Sequence, residues 1–225
     1  GKDTSEQTLA WAYDFVQQIR KTPIVVQDSR GFFTSRVFSA MAMEGIAMLG
    51  EGVSGASIEN AALLAGFPVG PLAVIDEVSL TLTSKIRAQT QQDLALEGKA
   101  YVSHPADSVI DHLLEEGRYG KKSGKGFYDY SDKAKKRLWK GLNEKYFNSQ
   151  TQIPLEDIKD RLLFIQSIES LRCLQEGVLS SIRDANVGSV MGFGFPAWTG
   201  GVIQFINYVG TKKFLHRTEQ LYDCY

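Results

Sequence analysis

The chain repeats itself. Residues 36–68 recur, diverged, as residues 161–196. Arg36, Ile46, Met48, Leu49 and Glu51-Gly52-Val53 align with Arg161, Leu171, Cys173, Leu174 and Glu176-Gly177-Val178 at a constant offset of 125. Gly66-Phe67-Pro68 and Gly194-Phe195-Pro196 follow at an offset of 128. Each copy reads as a long helix, a glycine stop, a short helix and a Gly-Phe-Pro turn. A helical module written twice predicts two copies packed as a pseudo-dimer rather than a many-unit solenoid. Arg36, which recurs as Arg161, is then expected to be structural, pairing with Asp or Glu across the pseudo-dimer.

The rest of the chain fits around the two copies. Residues 4–20 carry Leu9, Ala12, Tyr13, Val16 and Ile19 at helical spacing, with Thr4 or Ser5 as cap. Thr22-Pro23-Ile24-Val25-Val26-Gln27-Asp28 is apolar and β-branched, which predicts one buried strand. A lone strand needs a sheet to pair into, so this helix-strand pair reads as the last unit of an α/β domain lying upstream. After Gly31 the pattern is helical to Gly50. A short helix opens at Ser54 or Ser57. Residues 72–92 read as one long helix carrying Asp76 and Glu77, and residues 107–116 as a short one. Residues 121–126 read as a turn, and residues 131–154, with the basic run 133–140, as a polar connector. The second copy ends in helices near residues 202–208 and 212–222.

Composition excludes more than it selects. With 43% hydrophobic residues in 225, the chain can bury a core of one large domain or two small ones. A net charge of -1 gives no electrostatic case for nucleic acid or an anionic membrane. No apolar run approaches the roughly 20 residues of a membrane span. No signal peptide is visible, and two cysteines make no disulfide framework, so a cytoplasmic setting is expected. Gly1 in place of Met is what a piece of a longer polypeptide would show.

Gly50-Glu51-Gly52-Val53-Ser54-Gly55 matches the dinucleotide fingerprint G-x-G-x-x-G, and Asp76 stands at about the expected distance. The fingerprint requires a preceding strand, and a helix precedes Gly50. The second copy, Glu176-Gly177-Val178-Leu179-Ser180-Ser181, keeps one of the three glycines. A helix stop explains both. His104, His112 and His216 have no partner at metal-ligand spacing and read as solvated side chains. Thr34 and Ser35 sit where the expected strand hands over to the long helix, a common place for ligand contact. They are the candidate substrate-binding residues, with Ser35 placed to donate to a substrate oxygen; the alternative is a first-turn or capping residue. Lys121 to Lys125 form a basic glycine turn that suits a phosphate or plain solvent equally. Phe195, Trp198, Phe205 and Tyr208 read as core packing.

Taken in order, Lys21-Thr22-Pro23-Ile24-Val25-Val26-Gln27-Asp28, Gly31-Phe32-Phe33-Thr34-Ser35-Arg36, Glu51-Gly52-Val53, Gly66-Phe67-Pro68-Val69-Gly70-Pro71, Asp76 and Gly124-Lys125-Gly126-Phe127-Tyr128-Asp129-Tyr130 resemble the C-terminal part of the 3-hydroxyacyl-CoA dehydrogenases. The likeness is strongest to the versions inside multifunctional fatty-acid β-oxidation proteins, and it covers nearly the whole chain. It implies a mainly α fold, a duplicated multi-helix domain like the C-terminal domain of 6-phosphogluconate dehydrogenase, preceded by a remnant of a Rossmann domain. The implied boundaries are 1–29 for the end of the NAD-binding domain, 30–131 for the first helical domain, 132–154 for a connector and 155–225 for a degenerate second copy.

The resemblance also implies a reaction. An upstream domain binds NAD, a histidine oriented by a glutamate removes the hydroxyl proton, and 3-hydroxyacyl-CoA becomes 3-ketoacyl-CoA. The family's His-Phe-Phe-Asn-Pro-like segment is not in this chain, so no catalytic, cofactor-binding or metal-binding residue is expected here, and the chain alone is expected to be inactive. Where the family has Asn-Arg, this chain has Ser35-Arg36, so a hydroxyl replaces the amide that holds substrate. Acyl-CoA, the upstream domain and either a second copy of the chain or a thiolase subunit are the implied partners. The competing readings are a non-catalytic helical scaffold, against which the helix-strand remnant argues, and a related hydroxy-acid dehydrogenase domain, against which the Gly-Phe-Pro-x-Gly-Pro turn argues.

Overall fold

A computed structural model of the chain describes residues 1, 3–131 and 134–225. The described residues form helices α1 Glu6–Gln18, α2 Thr34–Gly50, α3 Gly55–Ala65, α4 Pro71–Val78, α5 Leu80–Leu96, α6 Ala106–Glu115, α7 Lys140–Lys145, α8 Leu155–Gln175, α9 Ile182–Phe193, α10 Val202–Val209 and α11 Thr211–Cys224. Strands β1 Tyr128–Ser131 and β2 Ala134–Leu138 make an antiparallel hairpin. The series α2 to α5 is answered by α8 to α11. No described helix is long and apolar enough to cross a membrane.

Two compact units emerge, Gly1–Ala40 with Leu163–Tyr225, and Met41–Leu162. Each takes part of its core from α2 and part from α8. In the first, Phe33, Val37, Phe195 and Phe205 are buried. Phe164 stacks on Phe214 with ring centres 4.3 Å apart, and Phe205 meets Phe195 edge-on at 6.1 Å. In the second, Ile46, Met48, Leu72, Ile110 and Phe127 are buried.

Both units contain the same charged arrangement. In the first, the Nε of Arg36 donates to Glu169, and its terminal nitrogens donate to the two carboxylate oxygens of Glu176 at 2.5 and 3.0 Å. In the second, the Nε of Arg161 donates to Glu44 at 2.6 Å, and its terminal nitrogens reach Glu51 at 2.6 and 2.8 Å. The offset of 125 that relates the arginines also relates Glu44 to Glu169 and Glu51 to Glu176. Each arginine is therefore held by the glutamates of the other copy. These are bidentate, charge-assisted contacts, the strong kind. The bond to Glu176 raises the Arg36 pKa against the cost of burial. At Arg161 burial opposes the charge, and the hydrogen bonds it donates to Glu51, with the charges of Glu44 and Glu51, outweigh it.

Three expectations are corrected. Residues 22–28 are extended but belong to no strand. With no neighbouring strand to pair with, the run is tied instead by Gln27 N–H donating to the Val178 carbonyl at 2.9 Å and Val25 N–H donating to Asp184 at 3.3 Å. The single helix expected over residues 72–92 is two helices, because Ser79 at φ 86° and ψ 136° breaks it; Ser79 also caps α5 by accepting from Leu82 N–H at 3.1 Å. The polar connector holds β2 and α7. Within the basic run, residue 133 lies outside the described residues, and residue 132 does too. β2 forms without β-branched residues because Lys136 covers the Tyr128 ring at 4.7 Å and Trp139 N–H donates to the Phe127 carbonyl at 2.9 Å.

The remaining helices form as expected. Ser5 caps α1 by accepting from Thr8 N–H at 3.1 Å, although none of the α1 residues is buried. Gly52 at φ 100° and Gly177 at φ 73° take the left-handed conformation that ends α2 and α8.

Candidate functional site

The candidate substrate residues lie in the first unit, at the start of α2. Gly31 and Phe32 both take positive φ, 75° and 47°. A left-handed phenylalanine is strained by about 1–3 kcal/mol. The turn is held by Phe32 N–H donating to the Ser29 carbonyl at 3.0 Å, and Arg36 N–H then reaches back to the Gly31 carbonyl at 3.2 Å. This reversal carries the chain from the extended run into the helix. Phe33 is fully buried against Phe193, ring centres 5.7 Å apart. That anchor fixes the helix start, with Thr34 half-buried and Ser35 exposed on the first turn. Among the described residues, neither hydroxyl is engaged in a hydrogen bond. Ser35 is a first-turn residue of α2 rather than its cap.

The other neighbours of this corner come from the second copy. A Cβ on Gly188 would lie 2.7 Å from Ile24 and 3.3 Å from Phe33, and one on Gly192 would lie 3.4 Å from the Thr34 methyl. Helix α9 thus packs along the extended run and the start of α2. The repeat gave no hint of this, since the contact joins residues more than 150 positions apart.

In the second unit the quoted motifs serve a buried network. Asp76 accepts from Phe127 N–H at 2.8 Å, Tyr128 N–H at 2.9 Å and the Tyr130 hydroxyl at 3.0 Å. Glu59 accepts from Leu72 N–H at 2.8 Å and the Tyr128 hydroxyl at 2.7 Å. Both carboxyls are buried. Burial pushes the Asp76 pKa up to about 6 against its hydrogen bonds, and raises that of Glu59. Burial also raises the phenol pKa values of Tyr128 and Tyr130. The glycines of both motifs make room for these carboxyls. A Cβ on Gly70 would lie 2.4 Å from a Glu59 oxygen, and one on Gly126 would lie 1.9 Å from an Asp76 oxygen. Buried Arg118 completes the corner, donating to the Gly126 and Tyr128 carbonyls at 2.6 and 3.2 Å and stacking 4.2 Å from the Trp139 ring.

The other candidates are placed without convergent chemistry. His104 accepts from Ala106 N–H at 3.2 Å, His112 contacts Lys145, and His216 contacts Gln220 at 3.1 Å. No group of three metal-ligand side chains exists among the described residues. Lys121 pairs with Glu77 at 2.6 Å. Phe195 and Phe205 are core, whereas Trp198 and Tyr208 stand at its edge, 57% and 72% exposed.

Residues 31–130 match the family model described as 3-hydroxyacyl-CoA dehydrogenase, C-terminal domain. The fatty acid oxidation complex subunit alpha of Shewanella loihica is 34% identical over 98% of this chain, and that of Vibrio vulnificus 33% identical over 100% of this chain. The chain spans 31% of the length of each. The crystal structure of 3-hydroxybutyryl-CoA dehydrogenase from Escherichia coli superposes with a TM-score of 0.73 at 19% identity, covering 97% of this chain and 61% of that one. Residues 31–130 are thus a 3-hydroxyacyl-CoA dehydrogenase C-terminal domain, and nearly the whole chain aligns with 31% of the length of these fatty acid oxidation complex alpha subunits.

Proposed function

We propose that the chain is the substrate-side part of an NAD-dependent L-3-hydroxyacyl-CoA dehydrogenase of fatty-acid β-oxidation, inactive without an upstream NAD-binding domain. The observation that carries this is Ser35. It is exposed on the first turn of α2, its hydroxyl is uncommitted, and it stands where the family has the asparagine that holds substrate. The free N–H groups and dipole of the helix start add donors and positive potential. In this role Ser35 donates a hydrogen bond to a substrate oxygen, and Thr34 supports it.

The described residues do not fit a dinucleotide. Gly50 ends a helix rather than following a strand, and the described sheet is a single hairpin. We place NAD, and the histidine and glutamate that move the proton, in the upstream domain as part of the same proposal. The boundaries 1–29, 30–131, 132–154 and 155–225 are part of the same proposal, as are a homodimer or thiolase partner. The cytoplasmic setting rests on two unpaired cysteines, of which Cys173 is buried and its thiol pushed up to about 11 chiefly by desolvation.

The test is NADH oxidation with acetoacetyl-CoA, comparing this chain with a polypeptide extended upstream in its native reading frame. Turnover in the extended form alone is the expected result. Turnover by the chain alone would overturn the division of labour, and none in either would overturn the dehydrogenase reading.

A further inference from the structure

Several helical glycines are explained by their contacts. A Cβ at Gly45 would lie 2.4 Å from Pro71, and one at Gly188 would lie 2.7 Å from Ile24. Gly192 is different. The one atom a Cβ there would meet among the described residues is the Thr34 methyl at 3.4 Å, an ordinary contact, and its φ is not in the left-handed region. Glycine weakens a helix, and neither packing nor backbone demands it at this position. What it leaves is open space on the surface of α9, directly beside the candidate substrate residues. Gly192 is exposed; its helix neighbour Met191 is 71% exposed, and Phe32, two residues before Thr34, is 49% exposed.

We propose that Gly192, contributed by the second copy, determines the acyl chain length accepted at the Thr34–Ser35 site. This inference rests on the acyl-CoA reading above. With the polar end of the substrate at Ser35, the space over Gly192 and the Thr34 methyl admits the alkyl chain. Met191, unbranched and adaptable, suits an alkyl ligand of variable length. A side chain at 192 would project over Thr34 and fill that space in proportion to its size.

The experiment uses the native polypeptide that carries this chain. Gly192→Ala, Gly192→Met and Gly192→Leu are assayed with acetoacetyl-CoA and with 3-ketopalmitoyl-CoA. The kcat/KM ratio of the long to the short substrate is expected to fall with side-chain size, by roughly tenfold or more at Leu. Thermal melting of each variant accompanies the kinetics, and the Ala and Met variants carry the test if Leu does not fold. An equal loss with both substrates, or an unchanged ratio, overturns the proposal. Absence of turnover by the unsubstituted polypeptide with either substrate is distinguishable from these, because it removes the acyl-CoA reading and this inference with it.

Discussion

Ser79 and Gly210 hold the same backbone conformation, φ 86° and ψ 136° in one, φ 88° and ψ 128° in the other. Each separates an eight-residue helix from the helix that follows. The second copy uses the residue that adopts this geometry without strain, and the first uses one that does not. Ser79→Gly is therefore expected to stabilise the chain by about 1 kcal/mol, since a lost cap costs a few tenths when glycine replaces it and relief of strain is worth more. The reciprocal Gly210→Ser is expected to destabilise by a similar amount. Melting curves with shifts of roughly 2–4 °C in opposite directions would show this, and shifts of the same sign would refute it.

The two arginines should differ in cost. The Arg161 side chain is 6% exposed and that of Arg36 is 23% exposed. Removing the more buried cation leaves Glu44 and Glu51 without their shared partner. Arg161→Ala is expected to cost about 3 kcal/mol and Arg36→Ala about 1–2 kcal/mol. Urea denaturation measures both, and equal losses would argue against burial as the deciding factor.

The Asp76 network predicts a pH dependence with an unusual sign. Its folded pKa is raised to about 6, so the fold prefers the protonated carboxyl. The stability that follows is complete below the unfolded carboxyl range near 4 and is lost as pH rises through about 6. Asp76→Asn mimics the protonated form. The wild type should therefore lose stability relative to Asp76→Asn between about pH 4 and 7, by roughly 3 kcal/mol at most. Denaturation of both proteins across that range tests it, because the difference cancels every other titrating group. A difference that stays constant, or grows in the wild type's favour, rejects the assignment.

Ser35 offers a separation of catalysis from folding. In the native polypeptide, Ser35→Ala should lower turnover with acetoacetyl-CoA by about tenfold while leaving the melting temperature within about 1 °C, since the side chain is exposed. Ser35→Asn should retain or exceed the parent activity. Unchanged kinetics for Ser35→Ala would return the residue to an ordinary place in the first turn. The chain-length series at Gly192 extends the same approach to the second copy.

Helix placement was largely legible because apolar spacing and glycine stops are local signals. The duplication was legible for the same reason, and it anticipated that Arg36 would meet acidic partners. What escaped was tertiary. Ser79 gave no sign of a break, because a serine is not a helix breaker and its positive φ is a conformation its residue type does not announce. The strand expected at residues 22–28 needed a partner the described chain does not supply. The hairpin hid behind a lysine-rich strand without β-branched residues, of which Lys136 covers the Tyr128 ring. Asp76 was noticed as an acid on an apolar helix, but its three donors sit more than 50 positions away.

The crossed arginine and glutamate sets have a genetic consequence. A stop codon between the two copies would delete Arg161 along with Glu169 and Glu176, stripping Glu44, Glu51 and Arg36 of their counter-charges at one stroke. A charge reversal in either half sets like charges against each other unless a matching reversal occurs in the other, so these six positions couple the two copies.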